Sequence, residues 1–167
     1  DPLRRVPRVR VAREEQVAHL LQAEHAREVG GATHGAAVYL RQPEAGAPAR
    51  ADLQKRHPHV IFTGMQTGEL LARHYASGDI FLYPSLTETY GNVTVEAMAS
   101  GLATVAYDYA AARQRIRHEV NGLLAPFSDT AAFVAQARGL IGDMTRVRRI
   151  GAAARLSVES LTWEHIM

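Results

Sequence analysis

The sequence predicts an α/β fold: a parallel sheet wrapped by helices in three α/β/α layers, Rossmann-like in its connections. Three observations predict it. Short apolar runs of strand length alternate with longer stretches of helical character, the pattern of βαβ units. Gly64, Gly78, Gly101 and Gly122 punctuate those stretches where a turn or a helix end is due. The 167 residues are 47% hydrophobic and 22% charged, which suits one soluble domain with a real core.

Taken in order, Val6–Val11 stands where a first strand is due, although it carries Pro7, Arg8 and Arg10. Helix Glu14–Glu28 follows, then Gly30-Gly31, a strand at Ala36–Leu40 and an Ala/Gly/Pro loop over Glu44–Ala51. Beyond it come helix Ala49–Arg56, strand Val60–Thr63, helix Thr67–Ser77 and strand Ile80–Tyr83. Helix Val93–Ser100, strand Ala103–Tyr107, strand Leu123–Ala125, helix Thr130–Ile141 and a last helix from Thr145 to Val158 complete the reading. No internal repeat interrupts the alternation.

Composition narrows the function. Cysteine is absent, which excludes disulfides and thiol catalysis and suits a reducing cytoplasm. No apolar run approaches the roughly 20 residues that span a bilayer. A net charge of +2 does not argue for nucleic acid. Arginines cluster at Arg4, Arg5, Arg8, Arg10 and Arg13 and again at Arg146, Arg148 and Arg149. These read as solvated faces, with peripheral contact to an anionic membrane surface as the alternative.

The chemistry concentrates in Pro84 to Ala99. Glu88 and Glu96 are eight positions apart, with Gly91-Asn92 between them at the start of the Val93 helix. A helix start carries unpaired N–H groups and the positive end of the dipole, so it attracts a phosphate. Asn92 is placed to cap the helix and Gly91 to let a ligand approach the backbone. The amides of Val93 and Thr94 then face a diphosphate. An ionised carboxylate only accepts hydrogen bonds, so vicinal hydroxyls suit Glu88 and Glu96. Glu96 is the one charge among Val93, Val95, Ala97, Met98 and Ala99, and an acid buried there needs a partner.

Other readings are weaker. His57 and His59 have no third ligand nearby, so no metal is expected. No nucleophile elbow surrounds Ser85, and no G-x-G-x-x-G follows a strand, which argues against a hydrolase and a nicotinamide cofactor. A glycosidase acid pair would need two carboxylates across an open cleft. Tyr75, Tyr83, Tyr90, Tyr107 and Tyr109 could stack a base or pack the core, with Tyr90 inside the motif.

These residues carry a resemblance. Pro84-Ser85, Glu88, Gly91, Glu96-Ala97-Met98-Ala99-Ser100-Gly101 and the strand Thr104–Ala106 resemble the E-x7-E region of retaining GT-B glycosyltransferases of family 4. Val60-Ile61-Phe62-Thr63-Gly64, Asn121-Gly122-Leu123-Leu124 and Thr162-Trp163 are similar to further landmarks of their C-terminal, donor-binding domain. The resemblance implies one half of a GT-B fold, binding a nucleotide-diphosphate sugar for transfer with retained configuration, without a metal or cofactor. It assigns Glu88 to the donor sugar as catalytic residue and Glu96 to the ribose. Gly91 to Thr94 fall to sugar and phosphates, and Gly64 and Met65 to the base; Tyr90, from its place inside the motif, is a further donor-binding candidate that would line the pocket.

The resemblance is closer over residues 49–163 than over 1–48. Arg10 matches a phosphate-binding arginine, while Glu15 stands where the family has lysine and Val9 where it has glycine. Ala45-Gly46-Ala47-Pro48 replaces a glycine-rich turn, and Tyr109-Ala110-Ala111-Ala112-Arg113 replaces a G-G-x-x-E element. The length leads to the expectation of a single donor domain over 1–167 with no N-terminal acceptor domain, inactive alone. Acceptor, base and sugar stay open. The alternative is a truncated or non-catalytic nucleotide-binding module.

Overall fold

The computed structural model describes residues 37–38, 51, 55–56, 61–63, 66–86, 92–159 and 161. They fall in two compact units, 1–78 and 79–167. In the first, β1 (Ala37–Val38) pairs parallel with β2 (Ile61–Phe62), Ala37 opposite Ile61. Helix α1 (Gly68–Ser77) follows, with an exposed Glu69–Arg73 ion pair of 2.6 Å one turn apart. Val6–Val11 and Glu14–Glu28 lie outside the described residues.

The second unit is built on a three-stranded parallel sheet in the order β3 (Ile80–Tyr83), β4 (Ala103–Tyr107), β5 (Leu123–Ala125). Ile80 stands opposite Ala103, and Val105 opposite Leu123. Helix α2 (Asn92–Ala99) crosses from β3 to β4, α3 (Ala110–Arg115) from β4 to β5, and α4 (Thr130–Leu140) and α5 (Met144–Val158) follow β5. Parallel neighbours require such crossovers, which cover the sheet on both faces.

All five residues of β4 are buried because helices lie on either side. Successive strand residues point to opposite faces. Ala106 joins Met98 of α2, Ala112 and Ile116 beside it, and Ala154 and Val158 of α5 in one apolar cluster. Tyr107 faces the other way, its ring 5.3 Å from that of Phe133 in α4. The expected α/β/α layering is thus present.

Local chemistry fixes the helix ends. Asp129 caps α4 by accepting from the Ala132 N–H at 2.9 Å, and Asp143 caps α5 through the Arg146 N–H at 2.9 Å. Helix α2 closes in a Schellman arrangement: the Gly101 N–H donates to the Met98 carbonyl at 2.9 Å and the Leu102 N–H to Ala97 at 3.1 Å. Gly101 adopts φ 75°, which a side chain would resist. Gly151, midway along α5, presses on this turn so closely that an added Cβ would lie 2.2 Å from the Gly101 oxygen.

Asn121 does more than form the expected Asn-Gly turn. It is buried, accepts from the Arg117 N–H at 2.6 Å, and donates to the Arg115 carbonyl at 3.1 Å and the Ser157 hydroxyl at 3.0 Å. One side chain therefore ties the end of α3, the turn before β5 and the last turns of α5 together.

Candidate functional site

In an open parallel sheet the ligand crevice lies at the carboxyl ends of the strands. Strand β3 reaches that edge at Tyr83 and is stopped by buried Pro84, which cannot donate to a ladder. Helix α2 starts at Asn92. Because β3 and β4 are parallel neighbours, α2 must run back antiparallel to them, and its N-terminus sits on the same edge. Its first N–H groups have no partner within the helix.

Burial along α2 follows a helical stripe. Thr94, Ala97 and Met98 are each buried, while Asn92, Glu96 and Ala99 are exposed. The expectation of Glu96 as a buried acid is therefore corrected: the intervals of four and three residues put it on the solvent stripe, not against β4. No side chain among the described residues hydrogen-bonds or ion-pairs with its carboxylate. Helical side chains lean toward the N-terminus, so that carboxylate extends over the turn containing Asn92. This disposition leaves it open to an incoming diol.

Asn92, expected as the helix cap, is instead the first residue of α2, and its polar side chain remains exposed in the first turn. Val93 is half-buried and Thr94 fully buried, anchoring the turn that presents the amides. The remaining candidates, Glu88, Tyr90, Gly91, Gly64, Met65 and Arg10, lie outside the described residues, as do Glu15, His57, His59 and Trp163.

The same edge carries features the motif did not include. After β4 come Asp108, Tyr109 and Ala110, with the Arg113 Nε 3.7 Å from the Asp108 Oδ1. After β5 comes Phe127, whose ring packs 4.6 Å from that of Tyr109 at 37°. Both residues are exposed, Tyr109 at 41% and Phe127 at 48%. Beside them Ala110 and Ser128 hold the left-handed backbone, φ 47° and 64°. Tyr107, by contrast, is core, and Tyr83 stacks on Phe81 at 5.7 Å.

The second arginine cluster is partly committed to structure. Arg146 pairs with the Glu119 carboxylate and donates to the Gly139 carbonyl, and Arg149 donates to the Glu119 carbonyl. Arg148 and Arg149 are both exposed. No described helix is long and apolar enough to cross a membrane. Among the described residues no group of three or more acids or histidines could hold a metal.

Comparison with known proteins decides the family. The description "Glycosyl transferases group 1" matches residues 9–143, from well upstream of Ala49 to the link between α4 and α5. The chain belongs to the group 1 glycosyl transferases. A GDP-mannose-dependent alpha-mannosyltransferase of Corynebacterium glutamicum is 38% identical over 117 residues, 70% of this chain and 28% of its own length. The group 1 chain thus spans under a third of that relative.

Solved structures agree on the fold. The C-terminal domain of a group 1 glycosyl transferase, LpcC of Francisella tularensis, matches with a TM-score of 0.68 at 18% identity, over 90% of this chain and 83% of that one. Anabaena HepE in complex with UDP and glucose matches with a TM-score of 0.72 at 18% identity, over 99% of this chain and 47% of HepE. The Rossmann-like architecture expected from the sequence is that of one half of these GT-B proteins.

Proposed function

We propose that this chain is the donor-binding portion of a retaining glycosyltransferase, holding a nucleotide-diphosphate sugar for transfer to an acceptor hydroxyl. The observation that carries the reading is α2: its N-terminus lies at the carboxyl edge of a parallel sheet, and exposed Glu96, which no side chain among the described residues pairs with, stands one turn inside. The diphosphate would lie against the amides of Asn92, Val93 and Thr94, where the helix dipole favours negative charge. Glu96 would accept from the ribose hydroxyls, a pairing strengthened by its full charge.

Membership of the family, and the likeness to HepE, solved in complex with UDP and glucose, and to a GDP-mannose-dependent mannosyltransferase, support a nucleotide sugar as donor. Glu88, by resemblance, takes the sugar hydroxyls near the reacting carbon. Retention would proceed by front-face substitution: the bond from the anomeric carbon to the diphosphate oxygen breaks, the acceptor oxygen bonds to that carbon on the same face, and its proton passes to the departing phosphate. No metal ion is required, because the helix start and arginine neutralise the leaving group. We place the reaction in the cytoplasm, which suits a chain without cysteine.

Calorimetric titration with UDP, GDP and ADP tests the reading. One diphosphate should bind, and Glu96→Gln should weaken it by about tenfold, the cost of losing a charge-assisted hydrogen bond. Unchanged affinity in Glu96→Gln removes the ribose assignment. Absence of binding by all three nucleotides refutes the donor-site reading.

A further inference from the structure

The edge beside the α2 N-terminus holds an aromatic pair that the phosphate and ribose contacts leave unused. Tyr109 stands two residues past the end of β4 and Phe127 two residues past the end of β5, so both lie at the carboxyl ends of the strands. Their rings pack at 4.6 Å, which occupies one face of Tyr109 and braces it while the residue remains 41% exposed. Two residues in left-handed backbone, Ala110 and Ser128, directly follow the two aromatics. Neither is glycine, and such strain persists where the surrounding structure imposes it, often at ligand sites. One residue before Tyr109 in the chain is Asp108, which faces the guanidinium of Arg113 in α3. They are 44% and 74% exposed and 3.7 Å apart, too long to satisfy each other fully.

We propose that Tyr109, braced by Phe127, is a specificity-determining residue that stacks on the pyranose ring of the donor sugar, with Asp108 and Arg113 taking its hydroxyls. A pyranose offers an apolar C–H face to an aromatic ring and a rim of hydroxyls that donate to a carboxylate and accept from a guanidinium. A diphosphate suits neither the ring nor Asp108. The inference rests on the donor reading above and adds the sugar's contact on this sheet edge to it.

The test compares UDP with UDP-glucose, and GDP with GDP-mannose, by calorimetry on the parent, Tyr109→Ala and Tyr109→Phe. The parent should bind one nucleotide sugar more tightly than its free diphosphate. Tyr109→Ala should lose about three- to tenfold in nucleotide-sugar affinity, the worth of a stacked ring. It should leave the free diphosphate unaffected, and Tyr109→Phe should keep the advantage because the ring face is retained. Equal loss for the diphosphate would place a base on Tyr109 and overturn the inference while leaving the donor site standing. No loss, or a parent that gains nothing from the sugar, also overturns it. A parent that binds none of the four ligands refutes the donor reading and this inference together. Circular dichroism melts of the three proteins check that a loss is not unfolding.

Discussion

Gly151→Ala tests whether the turn that ends α2 is seated as described. The added Cβ would stand 2.2 Å from the Gly101 oxygen and 3.1 Å from its carbonyl carbon. The two backbones must part by roughly 1 Å or more to restore van der Waals contact. Both are main chain, so no flexible side chain can yield. Overpacking of this kind costs about 1–3 kcal/mol, and rigid partners put it at the upper end. Alanine's better helix propensity returns about 1 kcal/mol. The expected net loss is about 2 kcal/mol, or a Tm lower by about 4–8 °C for a chain of this size. Gly139→Ala in α4 is the control, since its added Cβ meets only the tip of Arg146 at 3.4 Å. That protein should melt at or slightly above the parent. Thermal and urea melts followed by circular dichroism measure both. A Gly151→Ala protein as stable as Gly139→Ala would refute the close packing of α5 on the α2 turn.

Asn121→Ala leaves the Arg117 N–H, the Arg115 carbonyl and the Ser157 hydroxyl short of a partner, and should cost roughly 2–4 kcal/mol in a urea melt. A loss under 0.5 kcal/mol, an order-of-magnitude threshold for a solvated surface change, would mean water replaces the side chain freely. Ala110→Gly relieves a left-handed alanine and should stabilise by about 0.5–1 kcal/mol, the steric gain exceeding the extra chain entropy. Destabilisation there would show that the backbone at the β4–α3 junction differs from the one described.

The sheet of the second unit was legible because its signals are local. The bounds of β3, β4 and β5 coincide with the apolar runs Ile80–Tyr83, Ala103–Tyr107 and Leu123–Ala125, each closed by Pro, Gly or a polar pair. Helices α2, α4 and α5 lie within a residue of expectation, the usual uncertainty of helix ends. Helix α3 was missed. At six residues it is too short to show a period, and it is entered from Tyr109 with no side-chain cap.

The site was legible only in part. The helix start and its place on the sheet edge follow from chain order, but the exposure of Glu96 depends on which stripe of α2 faces β4. Val93, Val95 and Ala99 are apolar around most of the helix, so the sequence does not mark that stripe. The Tyr109–Phe127 contact joins residues 18 positions apart across two strand ends, and the Gly101–Gly151 contact joins two helices. Neither leaves a trace in local pattern, because each arises from packing between elements.

The central claim is that the first turn of α2 receives a diphosphate. Amide chemical-shift mapping during titration with UDP and with GDP tests it directly, because the N–H groups themselves are the proposed ligands. Saturable shifts should appear at Asn92, Val93 and Thr94 with at least one nucleotide, and the Glu96→Gln protein should need more of it to reach them. Shifts confined to other surfaces, with those three amides unmoved at saturation, would contradict the account.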